Sequence, residues 1–400
     1  MIKKTGLLSL VLMTGLVGQT NAAELNSDSI EVPEGVEVPL SDDIQNNPSE
    51  LPEYVKEYIK KRKKNISPEQ NVITPDYTLG VTFERMGARY IYSNSPEPIL
   101  GSHITNSQGG SFTTETTISS SATYVADFYH HNNSSVSGVK LGIAVKNTSS
   151  SPVTLFINEK AISSAGYTID MAAPVEANYG KSTNYESYTI NPGETRVMMS
   201  TSLTNGYIGN GKIKFSANAN GLKARIYFAH PNTSNTNIFN FPQATISRYD
   251  FTSATFDNSA RYAWIDANTY YPNNHTFYFS SYNQQGNSYE YEQANTSGNT
   301  VLGATDLDGN YGVEYWTGVK NAYGRTLRIY PNLTSPSSCY GGGARIALWT
   351  PANGWFTTTK ITTAGNYWSM ALPPADSDGY SYFGYTLPGG NCGNVRFEIR

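Results

Sequence analysis

The sequence predicts an all-β protein made of two tandem, duplicated β-sandwich domains. Three observations support this fold class. Residues that favour strands (Thr, Tyr, Val) and turns (Gly, Asn) are abundant, with 30 Tyr and 35 Gly in 400 residues. Short segments that alternate apolar and polar residues recur at regular spacing after residue 76. Several segments of the first half also reappear in the second half at a nearly fixed offset, which is typical of duplicated units.

The repeat has its longest match between residues 139–158 (VKLGIAVKNTSSSPVTLFIN) and residues 313–332 (VEYWTGVKNAYGRTLRIYPN). Three shorter matches follow the same order: residues 88–90 with 260–262, residues 193–198 with 365–370, and residues 224–226 with 395–397. With about 150 residues available to each copy, an immunoglobulin-like or a jelly-roll sandwich is expected.

The N-terminus predicts a signal peptide over residues 1–22. Lys3 and Lys4 precede a short apolar run, and Ala22 ends a small-residue cleavage site. The apolar run, residues 7–17, is too short to cross a bilayer. We therefore expect an exported protein that is secreted or associated with the cell wall, with no transmembrane anchor in the mature chain.

Residues 23–75 predict a disordered pro-segment or tether that contains one short helix. The helix is indicated within residues 51–64 (LPEYVKEYIKKRKK), where Tyr54, Val55, Tyr58 and Ile59 recur at helical spacing. Its basic end leaves three interpretations open: a solvated helix end, a protease-sensitive boundary, or attachment to an anionic wall polymer or lipid.

The first sandwich is predicted over residues 76–228 and the second over 248–400, with a polar linker at 229–247. No long amphipathic helix is expected after residue 76. The strongest turn signal is Asn353-Gly354, which predicts a hairpin. The predicted strands cover residues 78–83, 89–92, 121–129, 139–145, 153–158, 196–201, 212–217, 222–228, 261–265, 276–280, 288–292, 312–319, 325–330, 345–350, 355–361 and 394–400.

Composition excludes one class of partner and indicates a disulfide. Charged residues make up only 15% and the net charge is −4, so the basic surface of a nucleic-acid-binding protein is missing.

The two cysteines, Cys339 and Cys392, both lie in the second copy. In an exported protein this even number predicts a disulfide, which closes a loop of about 50 residues and stabilises by roughly 3–4 kcal/mol.

No motif predicts a catalytic, cofactor or metal site. Residues 306–310 (DLDGN) begin like a calcium loop but lack its distal Glu, and Asp-Gly also favours a turn. His130 and His131 are neighbours on a strand and point to opposite faces. Glu290 and Glu292 share a strand face, as the carboxylates of a glycosidase do, yet solvated charge is the simpler interpretation.

Aromatic residues are the strongest indication of binding. Trp316, Trp349, Trp355 and Tyr271 of the second copy are candidate ligand contacts, because rings beside amides and hydroxyls suit sugars. The alternative is that these rings fill a Leu-poor core. Trp349 and Trp355 flank the predicted hairpin, and on opposite faces at least one of them is exposed.

Short motifs in both halves resemble an uncharacterised family of secreted surface β-sandwich proteins of Firmicutes. They are residues 128–133 (FYHHNN), 151–153 (SPV), 309–313 (GNYGV), 341–344 (GGGA) and 388–391 (PGGN). The resemblance covers about residues 76–400 and implies a cell-envelope location. Some relatives carry a domain named after the N-terminal domain of copper amine oxidases, but this chain contains no such stretch, so neither copper nor oxidase activity is implied.

These observations favour an exported, non-enzymatic interaction scaffold of the cell envelope or extracellular matrix. Its partner is expected to be a wall polysaccharide or a surface protein. The alternative function is a carbohydrate-binding module that uses the aromatic residues of the second copy. A third hypothesis, a β-pore toxin, rests on residues 111–121 (SFTTETTISSS), which resemble an amphipathic hairpin.

Overall fold

The structure is a computed structural model that describes residues 49–65, 83–164, 169–183, 185–246, 251–268, 275–279, 291–331, 343–391 and 395–400. About half of the described residues (49%) are in strands and 12% are helical. The all-β prediction is therefore confirmed.

The described residues of the first sandwich form ten strands, in which alternating apolar residues face the interior. They are β1 (Glu84–Met86), β2 (Arg89–Ser93), β3 (Gly110–Ile118), β4 (Thr123–His131), β5 (Val139–Asn147), β6 (Val153–Ser163), β7 (Glu186–Ile190), β8 (Thr195–Leu203), β9 (Ile208–Ala217) and β10 (Leu222–Ala229).

In the second sandwich, eleven strands fall within the residues that the structure describes. They are β11 (Thr252–Phe256), β12 (Ala260–Asp266), β13 (His275–Phe279), β14 (Leu302–Gly303), β15 (Glu314–Lys320), β16 (Thr326–Pro331), β17 (Ala347–Thr350), β18 (Gly354–Thr357), β19 (Trp368–Ala371), β20 (Tyr380–Thr386) and β21 (Val395–Ile399). The predicted C-terminal strand is β21.

Both sandwiches follow one strand order, that of the jelly roll. In the first, the sheet β3-β10-β5-β8 faces the strands β4-β9-β6-β7. In the second, β13-β21-β16-β19 faces β15-β20-β17-β18. Successive strands alternate between the two sheets, except that β6 and β7, and likewise β17 and β18, are neighbours in one sheet, as in a jelly roll. Of the two expected sandwich types, the jelly roll is the one formed.

The two sandwiches exchange their first strands. Strand β1 pairs antiparallel with β12 of the second sandwich, whereas β11 pairs antiparallel with β2 of the first. Next to these, β2 pairs parallel with β4, and β12 pairs parallel with β15 in the same way. The large sheets are therefore β14-β11-β2-β4-β9-β6-β7 and β1-β12-β15-β20-β17-β18.

The topology corrects one of the four sequence matches. The matches at 88–90, 193–198 and 224–226 fall on strands that occupy equivalent places in the two sheets. The longest match does not, because residues 139–147 form β5, whose counterpart is β16, whereas the aligned residues form β15. An alternating segment followed by Val-Lys-Asn thus occurs on two different strands of the sandwich. The sequence match aligned β5 with β15, whereas its structural counterpart is β16.

Three α-helices accompany the sheets in the part of the chain that the structure describes. Helix α1 (Glu53–Asn65) confirms the predicted N-terminal helix, and α2 (Gly101–Ile104) is a single turn. Helix α3 (Ile169–Lys181) packs against β6 and β9 of one large sheet and β17 and β18 of the other. The sequence analysis, which expected no long amphipathic helix after residue 76, did not identify α3, a helix of 13 residues in which helix-favouring alanines outweigh Pro174.

Two further segments singled out in the sequence are packed in the first sandwich. Residues 111–118 belong to β3, which pairs antiparallel with β10, and the toxin hypothesis stays a prediction. Most of the predicted linker packs on the first sandwich, where Ile238 and Phe241 are buried against Tyr227. No helix within the described ranges is long and apolar enough to cross a membrane.

Candidate functional site

A row of aromatic residues crosses the outer face of the second sandwich's large sheet. Tyr262 on β12 is paired with Trp316 on β15, and Trp316 with Gly384 on β20. Gly384 is paired with Trp349 on β17, and Trp349 with Trp355 on β18. Directly opposed residues point to the same face of a sheet. These four rings therefore share one surface, which we call the aromatic groove.

Glycines on the same face make room for the rings. A Cβ atom at Gly384 would lie 2.7 Å from the Trp316 ring, and one at Gly318 would lie 2.5 Å from the Tyr262 hydroxyl. Gly180 of α3 approaches the Trp355 ring still more closely, with a Cβ-to-ring distance of 2.2 Å. The lack of a side chain at these glycines therefore leaves the space that the rings occupy.

The three predicted tryptophans are together, but they do not form a flat sugar platform. Trp316 lies 5.2 Å from Trp349 and 5.5 Å from Trp355, with interplanar angles of 64° and 81°. The rings therefore pack edge to face, and they are 1%, 1% and 5% exposed. The expectation that Trp349 and Trp355 lie on opposite faces was wrong, because residues 351–353 form a loop that places the two in direct register.

Helix α1 fills the aromatic groove. Val55 and Ile59 are 0% and 6% exposed, and Leu51, Tyr54 and Tyr58 pack against the same rings. The predicted apolar stripe of α1 is therefore confirmed as its buried face. The helical part of the predicted pro-segment or tether is therefore docked on the second sandwich.

Polar contacts position α1 along the groove. Tyr54 donates to Glu314, Trp316 Nε1 donates to the Tyr54 hydroxyl at 2.9 Å, and Tyr58 donates to Glu84. Burial and, to a smaller extent, the hydrogen bond to Glu84 raise the pKa of Tyr58 to about 12. Burial also raises the pKa of Tyr54 well above its usual value. Both phenols therefore stay protonated donors at neutral pH.

The C-terminal half of α1 adds an ion pair. Arg62 Nε donates to Glu84 Oε2 at 2.6 Å, so one carboxylate binds both Tyr58 and Arg62. Tyr54, Tyr58 and Arg62 are four residues apart, which places them on one face of the helix. This face matches the two carboxylates Glu314 and Glu84 on the sheet.

A cavity of about 490 Å³ lies beside α1, at the crossing of the exchanged strands. Its wall includes the β1–β2 and β11–β12 connections, which bond to each other: Ser259 N donates to Ala88 O at 2.8 Å, and Ala88 N donates to Ser259 Oγ at 3.1 Å. Its volume is within the range of small-ligand sites. The charged lining residues are balanced in sign: Glu57, Lys61, Arg89, Lys214, Asp257 and Glu314.

A buried charged triad lies where the first sandwich meets residues 311–312. Lys212 Nζ is 2.7 Å from Glu176 Oε2 and donates to the Gly312 carbonyl oxygen at 2.6 Å. Asp127 is hydrogen-bonded to Glu176, and its Oδ2 lies 2.9 Å from the Tyr90 hydroxyl. No sequence motif links these residues, because they come from β4, α3 and β9.

Two carboxyls and one ammonium group carry unequal charge, so the triad is neutral only with one carboxyl protonated. Burial raises the pKa of Glu176 to about 8, against the opposing effect of Lys212. Burial likewise raises the pKa of Asp127. The proton is therefore shared between the two carboxyls at neutral pH, and Lys212 balances the remaining negative charge.

A serine and a histidine form a second buried polar pair. Ser93 Oγ lies 2.8 Å from His130 Nε2, and His130 Nδ1 lies 3.0 Å from the Pro96 carbonyl oxygen. The pair has the arrangement of a nucleophile and its base, but both side chains are 0% exposed. Burial lowers the pKa of His130 to about 4, so the imidazole is neutral.

Glu292 is buried rather than solvated. Its Oε1 lies 2.7 Å from Arg261 NH1 and 3.4 Å from Arg85 Nε, and its side chain is 4% exposed. The interpretation of Glu292 as a solvated charge was therefore wrong. Its partners lie on β12 and β1, which are far from residue 292 in sequence.

Several predicted residues lie outside the described ranges. Tyr271 and both cysteines, Cys339 and Cys392, are among them, so the disulfide stays a prediction. Residues 308–310 form a turn in which Gly309 has a φ of 79°, as the Asp-Gly pair indicated. Within the described ranges no group of three or more His, Cys, Asp or Glu is placed to hold a metal ion.

No protein-family model and no curated protein matches the chain. Among solved structures, latent dimeric PorU of Porphyromonas gingivalis is 8% identical with a TM-score of 0.16 and covers 80% of this chain, which spans 20% of PorU. The CUB1-EGF-CUB2 domains of rat MASP-1 are 7% identical, with a TM-score of 0.17 and coverage of 79% and 96%. A Paenibacillus cycloisomaltooligosaccharide glucanotransferase complexed with cycloisomaltoheptaose is 12% identical, with a TM-score of 0.14 and coverage of 78% and 46%. These likenesses are too weak to carry an argument.

Proposed function

We propose that this protein is an exported, non-enzymatic interaction scaffold of the cell envelope or extracellular matrix. The observation that carries the proposal is the aromatic groove. Four of the five Trp lie in or against the cluster that receives α1. Edge-to-face rings around aliphatic side chains, with two carboxylates at the border, suit a helical protein segment. Export rests on the predicted signal peptide.

The second candidate function is carbohydrate binding, for which we propose the cavity beside α1, rather than the tryptophans, as the binding site. The cavity has room for a short oligosaccharide, and its lining combines Tyr54, Tyr58 and Tyr179 with carboxylates and cations. Carboxylates accept from sugar hydroxyls, whereas Arg89 donates to them. The balanced charge favours a neutral sugar over an acidic polymer.

Retention of the full chain on whole bacterial cells tests both candidates. A protein partner predicts retention that disappears when the cells are first treated with protease and that is unaffected by Arg89→Ala. A glycan partner predicts retention that survives protease, is competed by soluble sugars and is lost in Arg89→Ala. Arg196→Ala is the matched control, since Arg196 stacks on Tyr188 elsewhere in the first sandwich. No retention on cells, peptidoglycan, chitin or cellulose contradicts both candidates.

A further inference from the structure

Helix α1 is joined to the rest of the chain by more residues than its position requires. Arg62 contacts Glu84, so the end of α1 lies beside β1. Seventeen residues, 66–82, connect Asn65 to Phe83. A chain of that length spans about 55 Å when extended. Its covalent connection therefore lets α1 reach a groove on another molecule as well as its own.

The helix and the groove depend on each other. An isolated helix of 13 residues is marginal in water, so α1 owes its stability to the contacts that bury Val55 and Ile59. An empty groove would expose Tyr262, Trp316 and Trp349 as one apolar surface. Both states that fill the groove, by the same chain or by another copy, form identical contacts.

We propose that α1 docks in the aromatic groove of a second copy of this chain, so that molecules assemble by exchanging their N-terminal helices. The inference names the partner of the proposed scaffold function and rests on it. The contacts of Tyr54 and Tyr58 with Glu314 and Glu84 select this helix over an unrelated apolar one. Intramolecular docking dominates in dilute solution, whereas exchange increases with protein concentration.

Sedimentation of the full chain between about 1 µM and about 1 mM tests the exchange. We expect oligomers that grow with concentration and that dissociate when an excess of a peptide of residues 49–65 is added. A control peptide carries Val55→Asp and Ile59→Asp and is expected to bind at least about tenfold more weakly. A second control peptide carries two substitutions to Asp at exposed positions, Glu53→Asp and Lys60→Asp. It is expected to dissociate the oligomers as the unchanged peptide does.

Fluorescence anisotropy of labelled peptide measures docking directly. The full chain with Val55→Asp and Ile59→Asp, whose own α1 cannot dock, is expected to bind the unchanged peptide saturably and more tightly than the wild-type chain does. A wild-type chain that stays monomeric, or oligomers that the peptide does not dissociate, would overturn the proposed helix exchange. Either result would leave the outcome of the cell-retention test unaffected. Because the wild-type experiment needs no variant, misfolding of the double variant does not prevent a decision.

Discussion

The protonated carboxyl of the buried triad makes stability depend on pH. Burial raises the pKa of Glu176 from 4.5 to about 8. Between these values the folded protein holds a proton that the unfolded chain has released, so the free energy of unfolding falls as pH rises. The full difference corresponds to about 5 kcal/mol. Glu176→Gln is expected to flatten this dependence, because an amide donates to Asp127 and accepts from Lys212 without titrating.

The assay is urea unfolding followed by far-UV circular dichroism at about pH 5, 6.5 and 8. The wild type is expected to lose stability relative to Glu176→Gln across this interval, because the contribution of His130 below about pH 6.5 is common to both proteins. Glu159→Gln is the matched control: that carboxylate is 3.0 Å from Lys214 but 29% exposed, so its loss is expected to cost about 1 kcal/mol or less and to keep the wild-type profile. Parallel profiles for the wild type and Glu176→Gln would refute the shared proton.

Four further changes have expected outcomes. Gly180→Ala places a Cβ 2.2 Å from a tryptophan ring and is expected to lower stability by about 1–3 kcal/mol, whereas Gly101→Ala, with nothing within 4 Å, is expected to change it little in the same urea assay. Arg261→Met leaves its buried carboxylate partner without its closest cation and is expected to cost about 3–5 kcal/mol, and a loss below about 1 kcal/mol contradicts this. The pKa of His130 is lowered from 6.5 to about 4, so its contribution to stability, about 3 kcal/mol, is lost as pH falls through that interval. A His130→Gln variant whose free energy of unfolding falls between pH 6.5 and 4 as much as that of the wild type would disprove this. Cys392→Ser is expected to lower the melting temperature under oxidising conditions and to have no further effect with reductant.

Local patterns predicted most strands because side-chain alternation depends only on neighbouring residues. The hairpin at Asn353-Gly354 and the buried stripe of α1 are examples, and both are present. The face of Trp355 was mispredicted because it depends on loop length, and a change of one residue reverses the side. The sequence singled out the groove's tryptophans, whereas their edge-to-face packing under α1 depends on the pairing of distant strands.

Other features depend on contacts between distant segments. Asp127, Glu176 and Lys212 come from two strands and a helix, and each has the local sequence of a solvent-exposed residue. Nothing in the triplet Glu84–Met86 indicates that this strand joins the second sandwich, since its alternation suits either sheet. Pairing choices of this kind are set by topology and by chain length rather than by local preference.

The exchanged first strands have a mechanical consequence. Pulling the two sandwiches apart would have to break two separate sets of backbone hydrogen bonds, because β1 pairs over three residues with β12 and β11 over four with β2. Either set alone keeps the two bodies joined when the other opens. Tension applied between the two sandwiches would therefore act on backbone hydrogen bonds at two places, and not on side-chain packing alone.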